Sequence, residues 1–443
     1  MMEQEQTPYY EETVVEEMGL YRGARLFGDT YLWVAKWSLY MLAFLAPIFF
    51  LPFTAAPLFA KETFALVLLG IALVGWLAHF LATGKIVYKK SWLNGSLLAL
   101  FAVTAISAFR SESFFVSLWG PDVTGEKLAS LAVFVVAYFL MSVLLDKKEV
   151  TAVLGWAYGS LLLAGIFSLL QLFHTYVFSF DFARRVDFNT IGTINALAVF
   201  YGLFFVVGIG LLIHMQQIIA EVSWKKLFTW TIFLSTLILF VNILLISMPR
   251  VTAIGGFTVL SKFQAVWFGI GLAMMVFLGQ SFRNAYRNRS ESGERVSAHF
   301  GAAYYIPLIV LVFSALFYFV QTPFFGGALG DIPVEVTPAF SATVDIAKQA
   351  IKANPFFGSG PGTFSFDYNR YHSPDINQTP FWSVKFFHGF SFISTIFATT
   401  GVMGLLAWLV FFGVALFILF RTLFRGAGFD PIKFSIFGGV CFS

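Results

Sequence analysis

The sequence predicts an all-α, polytopic integral membrane protein with about 10–11 transmembrane helices and one large extracytoplasmic loop. Three observations predict it. Hydrophobic residues make up 58% of the 443 positions and charged residues only 12%, against roughly 45–50% and about 25% in soluble domains. The mean hydropathy is +0.79, so polar side chains are too few to coat a water-facing surface. Finally, the apolar residues, 57 phenylalanines among them, are gathered into runs of about 20, the length that crosses about 30 Å of hydrocarbon.

The elements follow in order. Residues 1–30 form an acidic cytosolic segment, with Glu3, Glu5, Glu11, Glu12, Glu16 and Glu17 in residues 3–17 and no basic n-region of the kind a signal peptide carries. Apolar runs near 37–57, 63–83, 91–109, 128–145, 151–173, 191–213, 227–248, 263–280 and 302–321 supply nine helices within 31–321. The polar stretch 322–389 is the large loop. Residues 390–443 hold a further span within 390–420 and the start of another near 434, which is expected to be truncated.

Lys and Arg set the orientation, because basic residues concentrate in cytosolic loops. A cytosolic N-terminus places Lys85, Lys89, Lys90, Lys147, Lys148, Lys225 and Lys226 inside, with the dense set Arg283, Arg287, Arg289 and Arg295 and then Arg421, Arg425 and Lys433. The large loop is then outside. Its Thr337-Pro338 predicts a helix start, with Thr as N-cap and Pro in the first turn. Phe340, Val344, Ala347 and Ile351 fall on one face. Asn354-Pro355 ends the helix, because the residue before Pro is pushed out of the α region, and Gly358-Ser359-Gly360-Pro361-Gly362 is a tight turn.

Several function classes are disfavoured. There is no phosphate loop, no His-Glu-x-x-His and no Gly-x-Ser-x-Gly, and the basic 283–295 run is a topology determinant rather than a nucleic-acid site. The single cysteine, Cys441, allows neither an intrachain disulfide nor a cysteine metal centre. The spans hold few ionisable residues and no evident paired Gly/Pro breaks, the usual gear of ion-coupled transporters. The outer side, by contrast, gathers Arg110, Arg184, Arg185, Arg250, Lys262, Arg370 and Lys385 with His174, His372 and His388 and several carboxylates. Arg184-Arg185 stands out, since the guanidinium fork suits phosphate oxygens and the pair lies at the depth of an outer-leaflet headgroup. A purely structural pairing of Arg185 with Asp187 is the competing explanation.

Asn354-Pro355-Phe356-Phe357-Gly358-Ser359-Gly360-Pro361-Gly362-Thr363-Phe364 resembles a signature of the O-antigen ligase/polymerase superfamily. Ala398–Leu406 resembles the start of that family's next span, Thr190–Ala198 its Gly-Thr-x-x-Asn-x-Leu-Ala helix start, and Ser117-Leu118-Trp119-Gly120 with Gly125 a weaker early motif. The resemblance implies a bacterial cytoplasmic-membrane enzyme that transfers a glycan from a polyprenyl-diphosphate lipid donor to a lipid core, growing glycan or protein acceptor, with no cofactor or metal. Outer arginines would hold the diphosphate and an outer histidine would assist the acceptor hydroxyl. Carried over by position, Arg185 and its neighbour Arg184 are the catalytic arginines, and Asn195 matches the family Asn. Arg250, Arg370 and Lys385 complete the substrate-binding set. The family His-Asn pair aligns with Phe390-Ser391, where this chain has neither, so His388 is the candidate base, with Asp367 or Asp375 as alternatives. A non-catalytic membrane scaffold of the same fold and a glycolipid transporter or flippase are the rival functions.

Overall fold

The computed structural model describes residues 28–51, 57–84, 90–120, 125–215, 224–248, 250–254, 257–261, 263–292, 302–319, 335–379 and 381–425, with Ile332 and Ile436. The first helix, α1, covers 28–45. It is followed by α2 (Pro57–Thr83), α3 (Trp92–Phe109), the short α4 (Phe114–Trp119), α5 (Leu128–Leu144), α6 (Lys147–Leu172), α7 (Ile194–Ile213) and α8 (Lys225–Ser247). An antiparallel hairpin, β1 (Arg250–Ile254) and β2 (Phe257–Ser261), precedes α9 (Ala265–Ser292) and α10 (Ala302–Phe319). The long loop contributes α11 (Phe340–Ala353) and α12 (Phe364–Tyr371), and α13 (Phe392–Arg425) closes the described chain.

This is a multi-pass, helical membrane protein in contact with a lipid bilayer. Among the described residues seven helices, α2, α3, α6, α7, α8, α9 and α13, are long and apolar enough to span, and α5 and α10 are shorter apolar helices. The small hairpin is an addition to the all-α expectation. The eleventh apolar run, near 434, lies outside the described residues apart from Ile436. The first run is displaced: a helix was expected over 37–57, yet α1 ends at 45 and a turn follows, with Phe49 N donating to Leu45 O at 2.7 Å. Pro47 has no N–H to continue the helix and its ring clashes with the preceding turn, whereas an apolar run alone does not register that stop.

Helix starts follow from capping chemistry. Asp146 and Glu149 form a reciprocal capping box at α6, and Thr193 Oγ1 accepts from Ala196 N at the start of α7; each satisfies donors that the first helical turn leaves without partners. Pro307 lies inside α10, which strips the amide bond normally made to the carbonyl of Ala303. Ser281 Oγ of α9 stands 2.7 Å from that carbonyl and supplies the missing donor.

Two cores hold the bundle. The larger joins α6, α7, α8 and α9, with Leu161, Leu197, Val206, Leu239 and Trp267 buried. Here helices approach closely over small residues: a methyl group on Gly208 would lie 2.3 Å from Thr236 Oγ1, the small-residue packing that membrane helices use in place of hydrophobic exclusion. The smaller core joins α1, α2 and α5. At its end Lys127, with a side chain only 1% exposed, pairs with Glu62 at 2.7 Å, and Ser130 Oγ also donates to Glu62. Removing one partner of such a pair leaves an uncompensated buried charge, a loss of about 3–5 kcal/mol.

The long loop is a folded substructure with its own core of Ile346, Ala347, Ala350, Phe364, Tyr368, Phe386 and Ala398. The expected helix is present and ends at Asn354, but its start differs. The N-cap position is Ala339 and no side chain caps it, so Thr337 is not the cap. The buried face is Thr343, Ile346, Ala347 and Ala350, while Phe340 is 60% exposed. Small residues face α13 because the two helices touch, and the larger Phe340 is left to pack edge-on against Phe390.

Candidate functional site

The site is built around a break in α13. Gly401 has φ 69° and ψ −166°, a backbone state essentially restricted to glycine. A break in mid-helix orphans carbonyls before it and amides after it, and the loop segment 354–360 satisfies both. Gly360 N donates to Thr399 O at 2.7 Å and Ser359 N to Ala398 O at 3.4 Å. In return Val402 N donates to Pro355 O at 3.1 Å and Met403 N to Phe356 O at 3.0 Å. Ser107 Oγ of α3 adds a bond to Phe357 O at 2.7 Å. The helix α13 is therefore interrupted at a single glycine, a feature that the apolar run 390–420 did not announce. The amides of Val402 and Met403, which an anion would otherwise meet at such a break, are already bonded to loop carbonyls.

The glycine turn is the seam between loop, α13 and the α3–α4 corner. Gly358 has φ 62°, and a methyl group there would sit 2.5 Å from Ala398 O. One on Gly360 would sit 2.2 Å from Ser111 Oγ and 2.5 Å from Ser117 Oγ. Inside the turn Ser359 Oγ donates to Asp367 Oδ2 at 2.5 Å and Thr363 Oγ1 stands 2.6 Å from Gly360 O. Burial pushes the Asp367 carboxyl up to about 6, against opposing help from Ser359, a smaller upward push from Glu112 and a smaller downward pull from Arg370. Glu126, in the adjoining 125–127 loop, is pushed to about 8 by burial, and its Oε2 has no hydrogen-bond partner. Thus three of the four sequence segments that carry the family resemblance, the first through Ser117 and the others through 354–364 and 398–406, meet in one seam.

The fourth segment lies at the start of α7. Asn189 closes its own turn, its Oδ1 accepting from Ile191 N and Gly192 N at 2.8 and 2.9 Å. Thr190 Oγ1 donates to Pro47 O at 2.6 Å. Glu335, from the long loop, accepts from Asn195 N at 2.8 Å, a carboxylate on the positive end of a helix dipole. Asn195 therefore meets the long loop through its backbone.

The candidate cations lie in three places, the α6–α7 loop, the long loop and the start of β1. Arg185 is exposed and forms a fork with Asp187, Nε to Oδ1 at 3.0 Å and Nη2 to Oδ2 at 2.7 Å. Arg184 beside it is exposed. Both follow an aromatic ladder in which Phe50, Phe178, Phe180, Phe182 and Phe188 pack ring against ring, fixing the α6–α7 loop at the bundle end. Arg370, on α12, forks onto Glu112 at 2.5 and 3.1 Å. His388 and Lys385 are both exposed. The His388 backbone is held because Gly389 N donates to Thr395 Oγ1 at 2.9 Å and Phe390 N to Thr343 Oγ1 at 3.0 Å. No hydrogen bond or ion pair among the described residues joins His388 to Arg184, Arg185 or Arg370. The Arg250 backbone opens β1 opposite Ser261, and its side chain lies outside the described residues. No group of three or more His, Cys, Asp or Glu among the described residues could hold a metal ion.

Sequence reasoning missed three parts: the break at Gly401, the Glu335 contact and a groove of about 480 Å³ between α11, α12 and residues 373–379. Thr399-Thr400-Gly401 was the available signal for the first, but the groups that complete the break lie in 355–360, out of reach of any local pattern. The fold and loop end define a multi-pass helical membrane protein with a structured loop locked into a broken span. No protein family, curated protein or solved structure matches the chain.

Proposed function

We propose that this protein transfers a glycan from a polyprenyl-diphosphate lipid to a lipid, glycan or protein acceptor on the outer face of a bacterial cytoplasmic membrane. The observation that carries this reading is the seam. The 111–117 corner and the 358–360 turn, more than 200 residues apart in sequence, meet at Gly360, and the same turn closes on the break at Gly401, so that the long loop is built against the α3–α4 corner and α13. In this mechanism the acceptor oxygen attacks the anomeric carbon and the carbon–oxygen bond to the diphosphate breaks. Arg185 and Arg184 stabilise the charge that grows on the departing diphosphate, with Arg370 and Lys385 adding positive field. The acceptor proton passes to His388, which accepts it only while neutral. Asp367 is too enclosed to touch a substrate and serves the seam, and Asp375 remains the alternative base.

The test is transfer in vesicles from a polyprenyl-diphosphate oligosaccharide. Arg185→Ala is expected to lower the rate at least a hundredfold without loss of inserted protein. Asp187→Asn, which frees the Arg185 fork, is expected to tighten donor binding several-fold. Wild-type transfer by Arg185→Ala would overturn the assignment. The Asp187 pairing favours one other reading, a non-catalytic scaffold in which Arg185 only braces its loop; an absence of transfer by the wild-type protein with any lipid-linked donor would select it.

A further inference from the structure

The groove between α11, α12 and residues 373–379 has a chemistry different from that of the arginine-bearing end. Its volume of about 480 Å³ lies in the range of small-molecule sites. One wall is aromatic: Phe386 meets Tyr368 edge to face at 4.9 Å, and His372 stacks on Tyr368 at 5.1 Å with an interplanar angle of 12°. Tyr371 and Phe381 continue the lining. The polar lining is rich in acceptors. Asp375 takes Ser373 Oγ on Oδ2 at 2.9 Å, and Asp345 faces the same space while making an exposed pair with Lys348 at 3.2 Å. His372 Nδ1 lies 2.8 Å from Tyr368 O, a contact that requires a proton on Nδ1. In the neutral ring Nε2 is then an acceptor.

An anion is a poor occupant, because two carboxylates and no Lys or Arg line the space. A purely apolar ligand would strand the carboxylates. A saccharide matches both features, since its hydroxyls donate to carboxylates and imidazole while its C–H faces lie on aromatic rings. We propose that this groove binds a neutral saccharide unit of the transferred glycan or of its acceptor, apart from the diphosphate. The proposal rests on the transferase reading for its role, but saccharide binding is measurable without transfer.

The experiment uses the full chain in lipid nanodiscs and a linear trisaccharide of N-acetylglucosamine as probe, followed by saturation-transfer NMR. Saturable binding is expected, weakened at least tenfold by Asp375→Asn and by Tyr371→Ala and only two- to threefold by Tyr371→Phe, which keeps the ring. Arg110→Ala, outside the groove, is expected to bind as the wild type does, and inorganic diphosphate is expected not to compete. Undetectable binding to the wild type, unchanged binding in both groove variants, displacement by diphosphate, or calcium binding lost in Asp375→Asn in place of saccharide binding would each overturn the proposal. Trisaccharide inhibition of transfer that is relieved by more acceptor assigns the groove to the acceptor, and inhibition relieved by more donor assigns it to the donor glycan. Binding without any transfer would remove the transferase reading and leave the groove; transfer without binding would do the reverse.

Discussion

Asp367 poses a sharper electrostatic problem than the exposed arginines. Its carboxyl is 4% exposed, and burial moves it from an ordinary 3.8 to about 6. In the folded seam the proton is held more tightly than in an opened one. Below about pH 4 the group is neutral in both states and costs nothing. Between about pH 4 and 6 the opened state gains by ionising, and above pH 6 the folded state carries the full penalty of about 3 kcal/mol. The seam is therefore expected to open more readily as pH rises through this window. Asp367→Asn keeps an acceptor for Ser359 and has no proton to lose at this position, so its opening should change less there, the remainder belonging to Glu126, which burial raises to about 8 in the adjoining loop. Hydrogen exchange over 359–367, compared between the two proteins at pH 4.5 and 7.5 after correction for intrinsic rates, is expected to rise more in the wild type than in the variant at the higher pH; parallel profiles would reject the charge penalty at Asp367.

At the scale of elements, α13 is two helical pieces joined through a glycine that belongs as much to the loop as to the span. A β-carbon on Gly401 would lie 2.6 Å from the Phe356 carbonyl and 2.7 Å from Gly358 N, and the backbone there is forbidden to alanine as well. Strain and displaced hydrogen bonds together make Gly401→Ala a loss of more than about 3 kcal/mol. The expected result is poor recovery from membranes and a lowered unfolding temperature, whereas Gly413→Ala, with open space around it, should behave as the wild type does. Helix positions were legible because apolar runs and Pro355 act locally. The break, the register of the α11 buried face and the end of α1 were not, because each depends on a distant partner or on a single proline in an apolar run. The same division holds for the site. Arg185 and Asp187 could be paired from sequence, while Arg370 with Glu112, 258 positions apart, could not.

At the scale of the molecule, the long loop is attached at points far apart in sequence: Glu335 on α7, Arg370 on the α3–α4 corner, and the glycine seam on α13. Loop-closure entropy grows only slowly with length, so one attachment would leave the rest of the loop free to sample many positions over the bundle, whereas three attachments define its orientation. That rigidity is what would let a headgroup beside Arg185 and a glycan in the α11–α12 groove be held at a fixed separation. The attachments are also separable. Glu335→Gln removes the charge that faces the α7 dipole and weakens the bond to Asn195 N, at a loss of about 1 kcal/mol. Hydrogen exchange is expected to rise about five- to tenfold at 335–339 and 194–196 and to stay unchanged at 398–403, where the seam is independent. If exchange rose equally at 398–403, the loop would be one cooperative unit, and Glu335 would matter to the whole of it rather than to the α7 end.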